Sequence, residues 1–426
     1  MVWGLGVGYV ISGNYFGWNL GLEQGGSLGL AIATGVVIIM YVTFTFSYAE
    51  LSCAIPKAGG AFDYASRALG EDAGFIAGMA QNIEFIFAPP AIAFAIGSYM
   101  NLFFPSLPVI FFSIASYLIF TALNTYGLQA AAIFELFVTA IAVTGLLLFA
   151  GVMIPHVEWT HLSSNSLPNG IPGIFAAVPF AIWFFLGIEG VANLAEETQN
   201  PKRTMSIGFL SALFTLIGVC FLTFIASVGV GGWEAVIYQP DGTTSDSPLP
   251  MAMQHVSGSN GWIYKTLIIV GLFGLVASFN GLMLAAGRAT SEFGKVKLKS
   301  SFLGKIHPRF KTPANALVIN MLIGIVALFT GRTGEVITIS VFGALTLYSI
   351  SMVSVIALRR KEPGLERPFQ VPFYPIFPIV ALILAIIALG AVAVYNPMLC
   401  LLYLLILGLC FGIFKLSNRS KSEKIA

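Results

Sequence analysis

Two glutamates are the residues of this chain best placed to do chemistry inside a membrane. Glu84 and Glu189 each lie well inside a long apolar segment, and no Lys or Arg lies at that depth in any segment. An ionised side chain costs about 2.5–3.5 kcal/mol at the centre of a membrane helix, so an acid there is a candidate functional group. A buried carboxylate without a basic partner either takes up a proton or holds a cation. The two acids therefore predict an amine substrate, a coupled proton, or both.

Two neighbours of Glu84 would complete an amine site. Gln81 and Phe85 flank it on a helix, where residues three and four apart share a face. Gln81 would supply a polar contact and Phe85 an aromatic face for an ammonium group. Glu84 could instead be a protonated structural acid. Glu189 could serve conformational coupling or protonation as readily as substrate contact, and these alternatives stay open here.

The sequence lacks the residues that an enzyme, a metal site or a nucleic-acid-binding protein would need. The 4 His all lie in loops, and neither an HExxH nor a GxSxG motif occurs, so an intramembrane enzyme is not indicated. No metal or organic cofactor site is predicted. Basic residues do not interleave with aromatic ones in a stripe suited to nucleic acid. A channel is a further class, but clustered glycines interrupt the first and the sixth apolar segments, and interrupted helices in matching positions fit a carrier better than a pore.

The elements that hold these acids must be membrane helices. The chain is 57% hydrophobic and 9% charged, and its mean hydropathy is +0.88. An average soluble domain carries about 25% charged residues. A soluble fold of this length could not bury so much apolar surface, whereas a bilayer can cover it. We therefore predict an all-α integral membrane protein, with the lipid bilayer as its surroundings.

About twelve apolar segments are long enough to cross roughly 30 Å of hydrocarbon. The first segment has no signal-peptide cleavage site after it and is interpreted as a membrane helix. The predicted spans are 3–22, 28–53, 73–104, 107–126, 129–153, 173–195, 207–230, 265–287, 313–331, 336–357, 374–395 and 398–415.

The distribution of basic residues sets the predicted orientation. With the N-terminus inside, every Lys and Arg except Lys265 and Arg332, out of 21, falls in a cytoplasmic loop or in the tail. Cytoplasmic loops are enriched in Lys and Arg, and shifting the helix count by one would destroy this asymmetry. Both termini are therefore predicted to be cytoplasmic, in a cell membrane of the bacterial inner-membrane type.

Two spans contain clustered glycines that interrupt a continuous helix. The first carries Ser12-Gly13-Asn14 near its middle, and the sixth carries Gly187-Ile188-Glu189-Gly190. Non-helical backbone at membrane depth is tolerated where it is buried or lines a cavity. Breaks in the first and sixth helices predict two five-helix inverted repeats, at 1–153 and 173–357, with a binding site between the breaks. Helices 11 and 12 (374–415) and a tail (416–426) follow. Glycine used only for close helix packing is the alternative.

The broken first helix would expose backbone groups around Ile11, Ser12 and Gly13. The N-terminal ends of half-helices suit anions, and carbonyl ends suit cations. Ser278 and Asn280 in the eighth span could complete a cation site against this break. A serine on a helix surface is also common in helix bundles, so a packing role remains the alternative.

Three stretches resemble the amino acid–polyamine–organocation permease superfamily. The first helix contains GLGVGYVISGNYFGW, the second helix and following loop contain SYAELSCAIPKAGGAFDYASRALG, and the sixth contains FFLGIEGVANLAEETQNPKRTMSIG. Within that superfamily, GVGYVISGNYFGWNLGL and the third-helix stretch EFIFAPPAIA are most similar to the ethanolamine permease branch. The resemblance extends over all twelve spans.

The resemblance implies a secondary transporter that works by alternating access. Its substrate would be a small amine, with ethanolamine first, and an amino acid or polyamine is the alternative. Trp183 resembles the gating aromatic of the family, although an aromatic residue that lines a helix interface is an equally good account. Phe185 and Gly187 belong to the helix 6 break. Some members carry a Lys in helix 5 as a proton-linked substitute for sodium. The fifth span here has none, which leaves proton or Na⁺ coupling open, and the oligomeric state is not predicted.

Two further acids occupy the ends of predicted helices. Glu50 and Glu135 lie near cytoplasmic helix ends. Both are expected to lie beside Lys or Arg of the loops and to act as gate or packing charges.

Overall fold

Helices make up nearly all the regular structure, because a segment in lipid must satisfy its backbone hydrogen bonds internally. The computed structural model describes residues 2–127, 131–197, 200–259, 261–296 and 302–422. Within them the one β feature is an isolated bridge between Tyr238 and Thr244. Three parts of the predicted cytoplasmic surface lie outside the described residues: Lys297, Lys299 and residues 423–426.

The first half of the chain alternates long membrane helices with short connecting ones. They are α1 (Val2–Val10), α2 (Ser12–Tyr15), α3 (Leu20–Ala54), α4 (Ala61–Leu69), α5 (Glu71–Asn101), α6 (Val109–Tyr126), α7 (Ala131–Met153), α8 (Trp159–Ser163), α9 (Gly170–Ala176) and α10 (Val178–Trp183).

The second half begins with a 3₁₀ helix, Ile188–Glu197, and continues with longer helices. They are α11 (Pro201–Gly231), α12 (Pro248–Ser257), α13 (Trp262–Val296), α14 (Ala314–Leu328), α15 (Thr333–Lys361), α16 (Ile376–Tyr395) and α17 (Pro397–Ser422).

These helices confirm the predicted multi-pass α-helical architecture. Ten helical stretches in the described residues are long and apolar enough to cross a membrane. The shorter apolar α14 and the broken first span account for the remaining two predicted spans. The last two helices lie at the periphery, where side chains such as Val394 and Met398 are 74% and 77% exposed on the outer surface. The division into two inverted repeats stays a prediction.

The first span is interrupted as its glycines predicted. Helix α1 ends at Val10, and α2 ends at Tyr15 before a turn that leads into α3. The backbone of α3 is non-helical at Gly26, with φ 64° and ψ −171°, a conformation that favours glycine. The residues of α3 before Gly26 therefore continue the first span, and those after it form the second.

The sixth span is interrupted between α10 and the 3₁₀ helix. Residues 184–187 form a turn in which Gly187 has φ +96°. The segment that follows has the tighter 3₁₀ geometry, whereas the sequence predicted one α-helical span at 173–195. Such tightening is typical of helix ends, where the regular hydrogen-bond ladder is incomplete.

Candidate functional site

The breaks of the first and sixth spans lie against each other. A Cβ atom on Gly13 would lie 2.2 Å from the carbonyl oxygen of Trp183 and 3.1 Å from the Cα of Phe184. Two backbones can approach this closely only where one residue has no side chain. The close approach therefore explains the glycine at position 13.

Trp183, at the end of α10, covers the first break. Its indole N–H donates to the carbonyl oxygen of Phe16 at 3.1 Å, and the two rings meet edge to face at 5.5 Å. Gly17, with φ +84°, has its Cβ position 2.4 Å from the indole nitrogen. The indole thus occupies the space that a side chain at residue 17 would need.

Ser278 of α13 bonds to the backbone of the first break. Its hydroxyl accepts the Ser12 N–H at 2.9 Å and donates to the Gly8 carbonyl oxygen at 2.6 Å. The Ile11 N–H donates to Val7 at 2.8 Å, as in a regular helix. The structure therefore brings Ser278 to the broken helix, where it satisfies backbone groups of the break.

Glu84 of α5 and Glu189 of the sixth span have adjacent carboxyl groups, within reach of a shared hydrogen bond. Both side chains have no exposed surface. The Tyr348 hydroxyl of α15 donates to Glu189 Oε2 at 2.8 Å, and it lies 3.1 Å from the hydroxyl of Tyr41. Each acid comes from a different repeat of the predicted architecture, and α15 adds the phenol that orients one of them.

The Glu84 carboxyl lacks a strong donor. The Gly187 N–H faces it, but no donor in the described residues meets either oxygen in hydrogen-bond geometry. Its backbone carbonyl accepts from Ser340 of α15 at 2.8 Å, and a Cβ on Gly343 would lie 3.2 Å from the Glu84 Cβ. Helix α15 therefore packs directly on the acid and leaves its oxygens available to a ligand or a proton.

The two adjacent acids determine which charge this site can hold. Two carboxylates in contact inside a low-dielectric interior cannot both ionise at reasonable cost, so they share a proton or hold a cation between them. No Lys or Arg in the described residues forms an ion pair with either acid. The arrangement is chemically suited to one positive charge.

Three further residues of the predicted site contact other parts of the structure. Gln81 lies one helical turn from Glu84 and donates to Asn193 Oδ1 at 3.1 Å. Phe85 reaches the sixth break, with its ring 3.3 Å from a Cβ placed on Gly190. Phe185 packs on Tyr41, with ring centroids 5.2 Å apart. The structure thus places Phe85 against the sixth break and Phe185 against Tyr41, while Gln81 bonds to Asn193.

Sequence reasoning missed the contribution of the tenth span. Tyr348 and Ser340 both bond to the acid residues, and Tyr41 of α3 extends the chain of hydroxyl groups. A usable signal was the placement of tyrosines inside apolar spans, since a buried phenol needs a hydrogen-bond partner. The sequence did not show which residue across the bundle each tyrosine would bond to.

The expectation for Glu50 holds, and the matching expectation for Glu135 is wrong in the described residues. Glu50 accepts two bonds from Arg359, at 2.8 and 2.6 Å, and lies 3.3 Å from Arg367. Glu135 has no basic partner there, and its contact is the Asn280 amide at 3.4 Å. It lies deeper than its position near a helix end suggested, because α1 and α13 cover it.

A cleft of about 530 Å³ opens at the end of the bundle opposite to Glu50. Its carboxylates are Glu23, Asp246 and Glu335, and Arg332 bonds to Glu335 at 2.7 Å. Burial raises the pKa of Asp246 to about 6, although the Thr333 hydroxyl donates to it at 2.8 Å. The excess of acids over bases gives the cleft a negative potential that attracts cations.

Known relatives of this chain are transporters. The chain is 28% identical to an uncharacterized transporter of Rhizobium meliloti over 88% of its own length and 82% of the relative. It is 27% identical to the methylthioribose transporter of Bacillus subtilis, over 82% of this chain and 79% of the relative. It is also 27% identical to the low-affinity putrescine importer of Escherichia coli, over 85% and 80%.

The family comparison covers almost the whole chain. The model of the amino acid permease family matches residues 2–413, which include both breaks, both paired acids and the outer helices. The names of the family and of the relatives are those of permeases and transporters and not of enzymes. This chain therefore belongs to the amino acid permease family, within the amino acid–polyamine–organocation superfamily, and is a multi-pass membrane transporter.

Proposed function

We propose that this permease carries a small amine, with ethanolamine as the first candidate, by alternating access around the paired acids Glu84 and Glu189. The observation that carries this proposal is the contact between the two buried carboxyl groups. A substrate ammonium can replace the shared proton as the positive charge between them. Phe85 and Tyr41 supply aromatic surface close to the acids, and aromatic faces attract cations.

The backbone of the first break favours an amine over an amino acid. By the family resemblance, exposed amides of this break take the substrate carboxylate in amino acid carriers. Here the Ser12 N–H donates to Ser278 and is not available to a carboxylate. A hydroxyl group, as in ethanolamine, needs fewer donors than a carboxylate. Two acids are also few for a polyamine with several positive charges, although a relative is named as a putrescine importer.

The negative cleft supports the same charge preference. Glu23 and Asp246 lie where a substrate would enter if the cleft faces outward. Attraction of cations into such a cleft raises their local concentration and speeds binding.

We propose that the protein resides in the plasma membrane with both termini in the cytoplasm. Reporter fusions after Ser300 and Glu362 should then read cytoplasmic and a fusion after Asp241 external, whereas an external reading at Ser300 would contradict this topology.

The substrate is tested by uptake into proteoliposomes. Radiolabelled ethanolamine, a neutral amino acid and putrescine are compared under imposed proton and sodium gradients. We expect saturable ethanolamine uptake with counterflow, which a channel does not show. Preference for either other compound would replace ethanolamine in the proposal, and uptake without saturation would favour a channel.

The role of the acids is tested by replacing their charge. Glu84→Gln keeps the shape of the side chain but removes the charge, and loss of a partly desolvated ion pair costs about 2–5 kcal/mol. We expect ethanolamine affinity to fall by about one to three decades. Glu189→Gln removes the other carboxylate of the pair, and we expect it to lower ethanolamine affinity and turnover. Unchanged binding by Glu84→Gln in a direct measurement would show that Glu84 is a structural acid.

A further inference from the structure

A group of buried polar side chains meets beside Gly60, the residue that precedes α4. Gln81 of α5 donates to Asn193 Oδ1 of the sixth span at 3.1 Å. A Cβ placed on Gly60 would lie 3.3 Å from Asn193 Oδ1 and 3.5 Å from the hydroxyl of Tyr48 of α3. The same position is 3.6 Å from Gln81 Nε2. Polar atoms from three helical segments therefore converge on one face of a glycine.

Two members of this cluster have hydrogen-bonding capacity that the protein does not use. The Tyr48 hydroxyl is fully buried, and the Ala61 N–H faces it without reaching hydrogen-bond geometry. Asn193 is 2% exposed, and its Nδ2 atom has no partner in the described residues. Leaving a buried donor unpaired is costly. Groups left unsatisfied in this way are explained by a bound molecule or by a functional role.

The cluster lies on the same helices as the paired acids, about one turn away. Gln81 precedes Glu84 by three residues on α5, so the two share a face and are about 4.5 Å apart along the axis. Asn193 follows Glu189 by four residues in a 3₁₀ helix, a rise of about 8 Å. The Tyr48 phenol is close enough to both acids to interact with them electrostatically.

The chemistry of the cluster suits an uncharged group that both donates and accepts hydrogen bonds. Its side chains are two amides and a phenol, and none of them carries a formal charge. The Asn193 amide N–H needs an acceptor, whereas the Tyr48 hydroxyl can donate or accept. An alkyl group would leave both unsatisfied, and the nearby acids would repel a carboxylate. A hydroxyl group meets these requirements.

Ethanolamine has the length to occupy both sites at once. Its two carbons, with a hydrogen bond of about 3 Å at each end, span a distance similar to that between the acids and the cluster. Its hydroxyl therefore reaches the cluster when its ammonium lies at Glu84 and Glu189. The Ser12 N–H of the first break is bonded to Ser278 and does not compete for the hydroxyl.

We propose that Tyr48, Gln81 and Asn193 form the subsite that binds the hydroxyl group of the transported amine. Tyr48 and Asn193 contact the hydroxyl, and Gln81 holds the Asn193 amide in place through their hydrogen bond. The subsite selects amino alcohols over simple alkylamines. The inference rests on the proposed transport of an amine at Glu84 and Glu189.

Binding of two amines to the unmodified protein tests the subsite without any substitution. Ethanolamine and ethylamine share the ammonium group and the two carbons, and they differ only in the hydroxyl. Isothermal titration calorimetry measures the affinity of each for the purified full-length protein. We expect ethanolamine to bind about 10- to 100-fold more tightly, which corresponds to about 1.4–2.8 kcal/mol. Equal affinities would overturn the proposal.

Tyr48→Phe assigns this preference to the cluster. The change removes the hydroxyl and keeps the ring, which stacks on Phe44 at 5.0 Å. We expect the affinity for ethanolamine to fall about tenfold, toward that for ethylamine, while the affinity for ethylamine stays the same. Tyr64→Phe is the matched control, because this equally buried ring contacts Tyr48 at 5.5 Å but its hydroxyl is not among the atoms nearest Gly60. A full preference in Tyr48→Phe, or an equal loss in Tyr64→Phe, would contradict the assignment.

Asn193→Ala provides an independent variant that removes the second unpaired donor. We expect it to reduce the preference for ethanolamine as Tyr48→Phe does, so the assignment remains testable if one of the two variants does not fold. A preference that survives this change would also overturn the proposal. If neither amine binds the unmodified protein, the proposed amine transport fails and the subsite with it. If both amines bind equally well, only the subsite fails.

Discussion

The indole N–H of Trp183 donates to the Phe16 carbonyl oxygen at 3.1 Å, so the break of the sixth span is tied to the break of the first. The bond joins two segments that are 167 residues apart in the chain. A substrate bound between the two breaks would therefore contact both of them together. Changes that separate the breaks should affect transport more than they affect insertion into the membrane.

Gly13→Leu tests the contact between the breaks. The Cβ position of Gly13 lies 2.2 Å from the Trp183 carbonyl oxygen, so a leucine must push the two backbones apart. We expect uptake to be abolished while the protein remains in the membrane. Gly35→Leu is the control, because Gly35 is exposed on α3 with no atom within 4 Å of its Cβ position. Normal uptake by Gly13→Leu, at equal membrane content, would show that the close approach is not needed for function.

Tyr348→Phe tests the hydrogen bond to Glu189. The substitution removes the hydroxyl that donates at 2.8 Å and leaves a buried carboxyl oxygen unsatisfied, at a cost of about 1–3 kcal/mol. We expect turnover to fall by about tenfold, because a loss of about 1.4 kcal/mol of transition-state stabilisation slows a step tenfold. Tyr403→Phe removes a hydroxyl that donates to Thr346 at 2.8 Å and not to either acid, and should leave turnover unchanged. Equal turnover in the two variants would remove Tyr348 from the site.

The Glu50 cluster should stabilise the folded protein. Glu50 is bound by Arg359, Arg367 and the Val371 N–H at 2.7 Å, and its side chain is 3% exposed. Breaking a buried ion pair by removing one partner costs about 3–5 kcal/mol, and the partial exposure of Arg359 places Glu50→Ala toward the lower end. Glu335→Ala breaks the exposed pair with Arg332 and should cost about 0–1 kcal/mol. Thermal unfolding in detergent measures both, and similar losses would contradict the ranking.

The stability of the folded segment around Asp246 should depend on pH, because burial of its carboxyl disfavours the ionised form. The pKa of Asp246 in the folded cleft is about 6, above its ordinary value near 3.9. The folded state favours the neutral form of Asp246. Its contribution to the free energy of unfolding is therefore fully present below about pH 4 and is lost as the pH rises through about 6. Hydrogen exchange of residues 244–247, corrected for the intrinsic pH effect, should show more protection at pH 5 than at pH 7. Asp246→Asn stays neutral and should abolish this difference, and a variant with the same difference would assign it to another group.

Hydropathy and glycine placement predicted most of the fold. Apolar runs marked the spans, and the clusters around Gly13 and Gly187 marked the two interruptions, because both signals are local properties of the chain. The boundary between the first two spans was less well predicted. It depends on one residue, Gly26, whose φ of 64° lets the helix change direction without an obvious gap in hydropathy.

The sequence by itself determined that Glu84 and Glu189 lie at membrane depth without a basic neighbour, since depth follows from position within an apolar run. Only the tertiary structure decided that the two carboxyl groups adjoin each other, that Tyr348 orients one of them, and that Ser278 bonds to the first break. It also decided that Glu135 lies beneath α1 and α13 and not beside a loop base. The physical reason is that partners across a helix bundle depend on the rotation and relative height of each helix. Those are set by packing between distant spans, which a linear pattern of polar and apolar residues does not encode.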